Sequence, residues 1–212
     1  MELLDYLYTY FFSEARLIQH CDVEQQKFIE LQTIGVMPKP SYILDANLVC
    51  NSFFGEHEQH GKIYFYPKSY AKWLNKVKCN TTSEAAFTIF SERLQKTIHE
   101  LARNNISMGY EDDISKLNLF IATQWQHFLE GTYGLCTRTG LPEDIAKKEI
   151  TIGLLNTRLT QVNLSDQEEK QLITAMNLLA SCSPKFAPHE RSKSQKQRLV
   201  AQVESKLHIS LE

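Results

Sequence analysis

The sequence predicts a mainly α-helical fold: an N-terminal winged helix-turn-helix-like unit with a small β-hairpin, then an all-helical C-terminal bundle. Three observations carry this. Apolar residues recur with helical spacing through most of the chain after residue 79. The period switches from helical to extended just beyond the Pro38 and Pro40 pair, over a stretch rich in β-branched and aromatic residues. Helix-start signatures recur where each helical stripe begins. The boundary is expected near the end of the helix after the hairpin, giving units 1–78 and 79–212.

Taken in order, MELLDYLYTYFF is expected to form a first helix with Leu3, Leu4, Leu7 and Phe11 on one face. SEARLIQHC and VEQQKFIELQTI follow as two short helices, broken at Cys21 and Asp22 and stopped by Gly35. SYIL, NLVCNSFF and KIYFY read as strands, with GEHEQHG as a hairpin loop between the last two, so that the hairpin covers roughly 48–66. Tyr70, Trp73, Leu74 and Val77 then form one helical stripe. Thr81 with Glu84 is a capping box opening a helix whose apolar face is Phe87, Phe90, Leu94, Ile98 and Leu101. Ile114, Leu117, Ile121, Trp125 and Phe128 repeat the same spacing, and ARNNISMGYEDD joins the two stripes into a helical hairpin. Pro142, with Glu143 and Asp144 beside it, opens a helix to about Val162. Ser165 and Glu168 open another that Pro184 closes, and a last helix is expected over roughly Arg191 to Leu207.

Composition bounds the function. The 212 residues are 42% hydrophobic and carry 23 basic against 25 acidic side chains, for a formal net charge of −2. That supports a buried core and supplies no global field for gathering phosphate backbones, so nucleic-acid binding would need a local basic patch. Cys21, Cys50, Cys79, Cys136 and Cys182 are widely spaced, odd in number and without a CxxC pair, the pattern of reduced thiols in a cytoplasmic protein. The N-terminal stretch carries Glu2 and Asp5 and is too short to span a bilayer, so neither signal peptide nor membrane partner is expected. Nothing in the sequence implies a cofactor.

The stretch GTYGLCTRTGLPEDIAKKE is the richest in chemistry-bearing types. If the Trp125 helix runs to Thr139, Gly140 takes the left-handed position just past its end, and Cys136 meets Leu141 as a structural contact. The chemical reading makes Cys136 a nucleophile, with Arg138 lowering its pKa, Thr137 and Thr139 beside it, His127 or His189 as base, and Trp125 or Tyr133 lining a pocket. Cys50, His57 and His60 offer metal-ligating types within one hairpin, but with nonstandard spacing and no fourth ligand. Lys185, Arg191, Lys193, Lys196 and Arg198, against the single acid Glu190, form the one segment suited to gathering an anion.

Two resemblances extend these readings. CDVEQQKFIELQTIGVMPKP, residues 21–40, resembles the MerR-type helix-turn-helix: Val23 stands after the turn, and Gly35, Val36, Met37 and Pro38 close the second helix. That likeness implies a DNA-reading helix followed by a wing, although Asp22 replaces the usual turn glycine and Lys27 is the second helix's one cation. MELLDYLYTYFF, SFFGEH, WQHFLEGTYGLCTRTGLPEDIAKKE and FAPHERSKSQKQRLV resemble a family of unknown function, mostly from marine gammaproteobacteria, whose members are labelled natural-product biosynthesis proteins. That resemblance implies an accessory role beside biosynthetic enzymes. With no catalytic constellation in the sequence, the preferred reading is a non-enzymatic interaction or regulatory protein that binds a protein partner or itself. The alternative is a small helical enzyme, or enzyme accessory, working around Cys136.

Overall fold

The computed structural model describes residues 2–209. The chain is mainly helical, with one small antiparallel sheet of three strands ordered β1-β3-β2. Helix α1 (Glu2–Tyr10) leads directly into β1 (Phe11–Ser13), which pairs with the inner end of β3 (Gly55–Pro67), Phe11 opposite Pro67. Strand β1 was not expected from sequence, because Phe11 continues the apolar spacing of the helix before it. On α1 the buried residues are Tyr6 and Leu7, whereas Leu3 is exposed; Phe11 is buried from the strand.

Ser13 caps α2 (Glu14–Cys21), accepting from Arg16 N, and the helix ends with Asp22 in the left-handed region at φ 51°. Asp22 thus adopts the conformation for which a glycine is usual, one that short polar side chains tolerate. Helix α3 (Gln25–Thr33) follows, and Gly35 at φ +68° ends it.

Strand β2 (Tyr42–Ser52) pairs with β3 along its whole length, Tyr42 opposite Phe65 and Ser52 opposite Gly55. The turn is therefore Phe53-Phe54, and GEHEQHG is strand rather than loop. Polar residues occupy both faces there because both faces meet water, which erases the alternation that marks a half-buried strand. The Ser52 hydroxyl accepts from Phe54 N at 3.2 Å and donates to Gly55 O, closing the turn.

Beyond α4 (Tyr70–Val77), α5 (Ser83–Arg103) starts one residue later than its expected cap: Thr82, not Thr81, accepts from Ala85 N. Asp113 caps α6 (Ile114–Leu129) by accepting from Ser115 N and Lys116 N. Ile114, expected on the buried stripe, is 74% exposed at the helix start, while Leu117, Ile121, Trp125 and Phe128 are buried. Helix α6 does not reach Thr139. It stops at Leu129, Gly131 turns the chain at φ +79°, and the four-residue α7 (Tyr133–Cys136) precedes α8 (Pro142–Leu159). Ser165 and Glu168 make the expected capping box of α9 (Asp166–Cys182). A 3-10 turn over Arg191–Lys193 comes before α10 (Gln195–Leu207), which Ser194 caps, so this last helix begins later than its apolar spacing suggested.

The main core joins side chains from both sides of residue 78. Trp73 of α4 lies 5.0 Å from Phe128 and 6.2 Å from Trp125 between ring centroids, and Phe90 of α5 lies within 5.2 Å of both α6 aromatics. Trp73 donates its indole N–H to Val36 O at 2.9 Å. Arg93 stands 6.0 Å over the Trp73 ring and holds both Glu143 oxygens at the start of α8. Helix α8 packs between α5 and α9, with α10 against α8 and α9. A second, smaller cluster at the sheet gathers Tyr6, Leu7, Phe11, Phe65 and Ala187.

Glycine is required where the chain turns from α6 to α8. A Cβ on Gly131 would stand 2.7 Å from Lys39 O, and one on Gly140 (φ +66°) 2.5 Å from the buried Tyr70 ring. Gly140→Ala is expected to lower stability by about 2 kcal/mol through overpacking against a ring that has no room to move. Gly61→Ala, in the open hairpin with nothing within 4 Å, is expected to leave the urea midpoint unchanged. Equilibrium unfolding of both variants checks the contrast.

Candidate functional site

Three places hold the chemistry-bearing residues: the α7 joint with Cys136, the basic segment before α10, and the hairpin. At the joint, the threonines are consumed by backbone geometry. Thr137 Oγ1 donates to Tyr133 O at 2.7 Å and accepts from Gly140 N at 2.7 Å. Thr139 Oγ1 donates to Asp144 Oδ2 at 2.8 Å and accepts from Leu141 N at 3.3 Å, tying the loop to the first turn of α8. The backbone N–H of Arg138 donates to Cys182 O at 2.7 Å.

The Cys136 thiol donates to Thr132 O at 3.3 Å, one helical turn back. Burial pushes its pKa up; Lys148 opposes that shift and Glu149 adds to it. The sequence reading had Arg138 lowering this pKa, and the structure reverses the direction because desolvation of a thiolate outweighs the nearby cation. The two proposed bases contact other groups. His127 lies edge-on to Tyr133 at 6.2 Å between centroids, and His189 Nε2 lies 3.8 Å from Glu190. The pocket residues also divide: Trp125 is stacked in the main core, while Tyr133 donates its hydroxyl to Gln124.

What the sequence reading missed here is the ion pair Lys148–Glu149, 2.7 Å apart with both side chains largely buried. Burial works against the Lys148 ammonium, but Cys136 and Glu149 outweigh it and hold its pKa above the usual lysine value. At neutral pH the thiol is uncharged, so Glu149 is the charged partner, and the ammonium also lies 5.8 Å over the Tyr133 ring. Adjacent Lys and Glu on a helix look like an ordinary solvated face, and only packing places them inside.

A cavity of about 290 Å³ is lined by Cys136, Lys148, Ile152, Phe186, Lys193 and Lys196, among others. The fold thus brings two of the five cations of the basic segment to the thiol. Arg191 donates to Phe186 O at 3.4 Å, and Arg198 borders a separate shallow hollow with Leu159 and His208. Lys185 instead rims a second cavity of about 260 Å³, with Arg138 on the same rim and Tyr6, Tyr10, Phe11 and Pro67 on its walls.

Beyond its base the hairpin is an arm in solvent: every residue from Asn47 to His60 is exposed, and Phe53 and Phe54 at the tip are 97% and 95% exposed. Cys50 pairs across the ladder with His57 on one face; His60 lies on the other and holds Asp45 at 2.6 Å. Among the described residues no group of three His, Cys, Asp or Glu side chains is placed to hold a metal. Assigning Phe53-Phe54 to strand hid the tip in the sequence; the Ser52 hydroxyl turn and the following Gly55 were the local signals.

Fold and sites together define a mainly helical protein with a small sheet drawn out into an aromatic-tipped arm. Residues 86–208 match a family described as a family of unknown function (DUF6058), and the chain belongs to it. No curated protein and no solved structure matches the chain. Among the described residues no helix is long and apolar enough to cross a membrane.

Three thiols, two of them buried and that of Cys136 partly so, make a common prediction. Burial raises the pKa of Cys21, Cys136 and Cys182, the last to about 12. Alkylation at neutral pH is expected to modify exposed Cys50 and Cys79 first and Cys136 slowly, its rate climbing as pH rises past the ordinary thiol range; mass spectrometry of the time course reads this. Because the unfolded thiols ionise first, the stability these groups contribute is full below about pH 8.5 and declines above it. The urea midpoint should therefore fall between pH 8 and 10.

Proposed function

We propose that this protein is a non-enzymatic interaction protein that engages a protein partner through its hairpin arm. The observation that carries the reading is the pair Phe53 and Phe54, almost wholly exposed at the end of an arm that packs on nothing else among the described residues. Isolated two-stranded hairpins are marginal in water, and large exposed aromatics are the side chains that anchor interfaces. Acids flank the tip at Glu56 and Glu58, which suits a protein surface and opposes an anionic lipid surface.

The enzyme alternative around Cys136 has little support, since burial pushes the thiol pKa up and the thiol donates to Thr132 O. In the same reading α2 and α3 are a degenerate MerR-like helix pair that docks protein. Helix α3 presents Lys27 beside Glu24 and Glu30, and Lys27 itself pairs with Glu30, a poor charge pattern for a phosphate backbone. The sequence likeness to proteins labelled for natural-product biosynthesis supplies the context of an accessory role in the cytoplasm.

A photo-crosslinking residue, p-benzoylphenylalanine, in place of Phe53 is expected to yield a discrete adduct on illumination of intact cells. The same residue in place of Val162, 88% exposed but away from the arm, should yield none. Absence of any adduct at position 53 defeats the interaction reading. Duplex DNA should not be retained in a gel-shift assay even at about 50 mM salt, where the electrostatic attraction of any DNA-binding protein is strong; retention would favour the regulator reading instead.

A further inference from the structure

The basic segment and the ion pair of α8 meet at one cavity, and their charges there do not balance. Lys148, Lys193 and Lys196 all line the space of about 290 Å³. Lys148 is largely buried and pairs with Glu149 at 2.7 Å. Lys196 is half-buried and Lys193 exposed, and among the described residues neither has an ion-pair partner. The segment's own acid, Glu190, is engaged elsewhere: it accepts from the Tyr42 hydroxyl at the sheet and lies beside His189. Three ammonium groups against the Glu149 carboxylate leave a formal excess of two positive charges at the cavity.

The rest of the lining says what kind of anion fits. The first turn of α10 borders the cavity through Ser194, Gln195 and Lys196. Ser194 spends its hydroxyl on Gln197 N, so the N–H groups of Gln195 and Lys196 remain without an intrahelical acceptor. That turn carries no acid, and its lysine adds to the positive end of the helix dipole rather than opposing it. Lysine ammoniums and helix N–H groups together are the donors that hold phosphate groups. A dianionic phosphate monoester also cancels the excess of two charges, which a single carboxylate does not. Ile152 and Leu179, both buried, and half-buried Phe186 supply an apolar wall. The space stands at the small end of ligand cavities, which run from about 300 to 1,000 Å³, so it suits a compact body on that phosphate.

Independently of the arm, we propose that this cavity binds a phosphate monoester of a small apolar or aromatic alcohol. Lys148, Lys193 and Lys196 hold its phosphate at the start of α10, and its body lies against Ile152, Leu179 and Phe186. Cys136 is a lining thiol of the site, and no covalent bond forms or breaks there.

Calorimetric titration of the full chain with phenyl phosphate, in a phosphate-free buffer, tests this. Phenyl phosphate is expected to bind with a dissociation constant below about 1 mM. It should bind more tightly than inorganic phosphate, which lacks the body, and than benzoate, which carries a single charge. Lys193→Gln with Lys196→Gln, both outside the core, should weaken it at least about tenfold with unchanged far-UV circular dichroism. Arg138→Gln with Lys185→Gln, on the rim of the other cavity, should leave it unchanged. Bound phenyl phosphate should also slow the alkylation of Cys136 several-fold while exposed Cys50 and Cys79 react as before. The proposal is overturned by absence of binding at about 5 mM, by benzoate or inorganic phosphate binding as tightly, or by binding indifferent to Lys193 and Lys196. Binding that leaves Cys136 unprotected overturns it as well. None of these results bears on the crosslink at position 53, so the cavity and the arm stand or fall separately.

Discussion

Trp73 is the side chain on which the arrangement of the molecule depends. Its ring packs on Phe128 and its N–H is satisfied by Val36 O, so one residue binds α4, the loop after α3, and α6. A buried indole without an acceptor would lose a full hydrogen bond, which makes the position of that loop as much a requirement as the aromatic contact itself. Arg93 over the same ring reaches Glu143 and sets the start of α8. The segment that follows Val36 is then held against the end of α6, Lys39 N donating to Leu129 O at 2.8 Å and Ser41 Oγ to Gly131 O at 3.0 Å.

That close approach accounts for the glycines of the α7 joint. Lys39 O at Gly131 and the Tyr70 ring at Gly140 leave no room for side chains, and the threonines between them are spent on backbone groups. Cys136 is carried inward on α7 and desolvated, which favours its neutral form. Its neighbours Lys148 and Glu149 neutralise each other at 2.7 Å. Thiol, cation and carboxylate stand together here, and burial favours the neutral form of the thiol.

The arm is the opposite case, an element exposed to solvent from Asn47 to His60. At its root Tyr42 is fixed by Glu190, to which it donates at 2.6 Å, and by the T-shaped contact with Phe11. Past Asp45 the ladder continues, among the described residues, with no third strand and no helix above it. Its apolar tip is the feature on which the proposed interaction reading rests.

Several helix positions and caps were determined by the sequence alone, because they rest on interactions between residues three or four apart. The capping box at Ser165 and Glu168, the stripe from Phe90 to Leu101 and the stop at Gly35 needed no tertiary information. The family was also legible, since long stretches of the C-terminal part carry it. Other features were decided by contacts distant in the chain. The end of α6 at Leu129 depends on Lys39 and Ser41, some ninety residues earlier. The burial of Lys148 depends on how α8 packs between α5 and α9. The meeting of Cys136 with Lys193 and Lys196 depends on the return of the chain before α10. The hairpin turn lay between these two kinds. Its local chemistry was present at Ser52 and Gly55, but the strand pattern around it is masked by water on both faces, and only the pairing of Tyr42 with Phe65 sets the register that puts Phe53 and Phe54 at the tip.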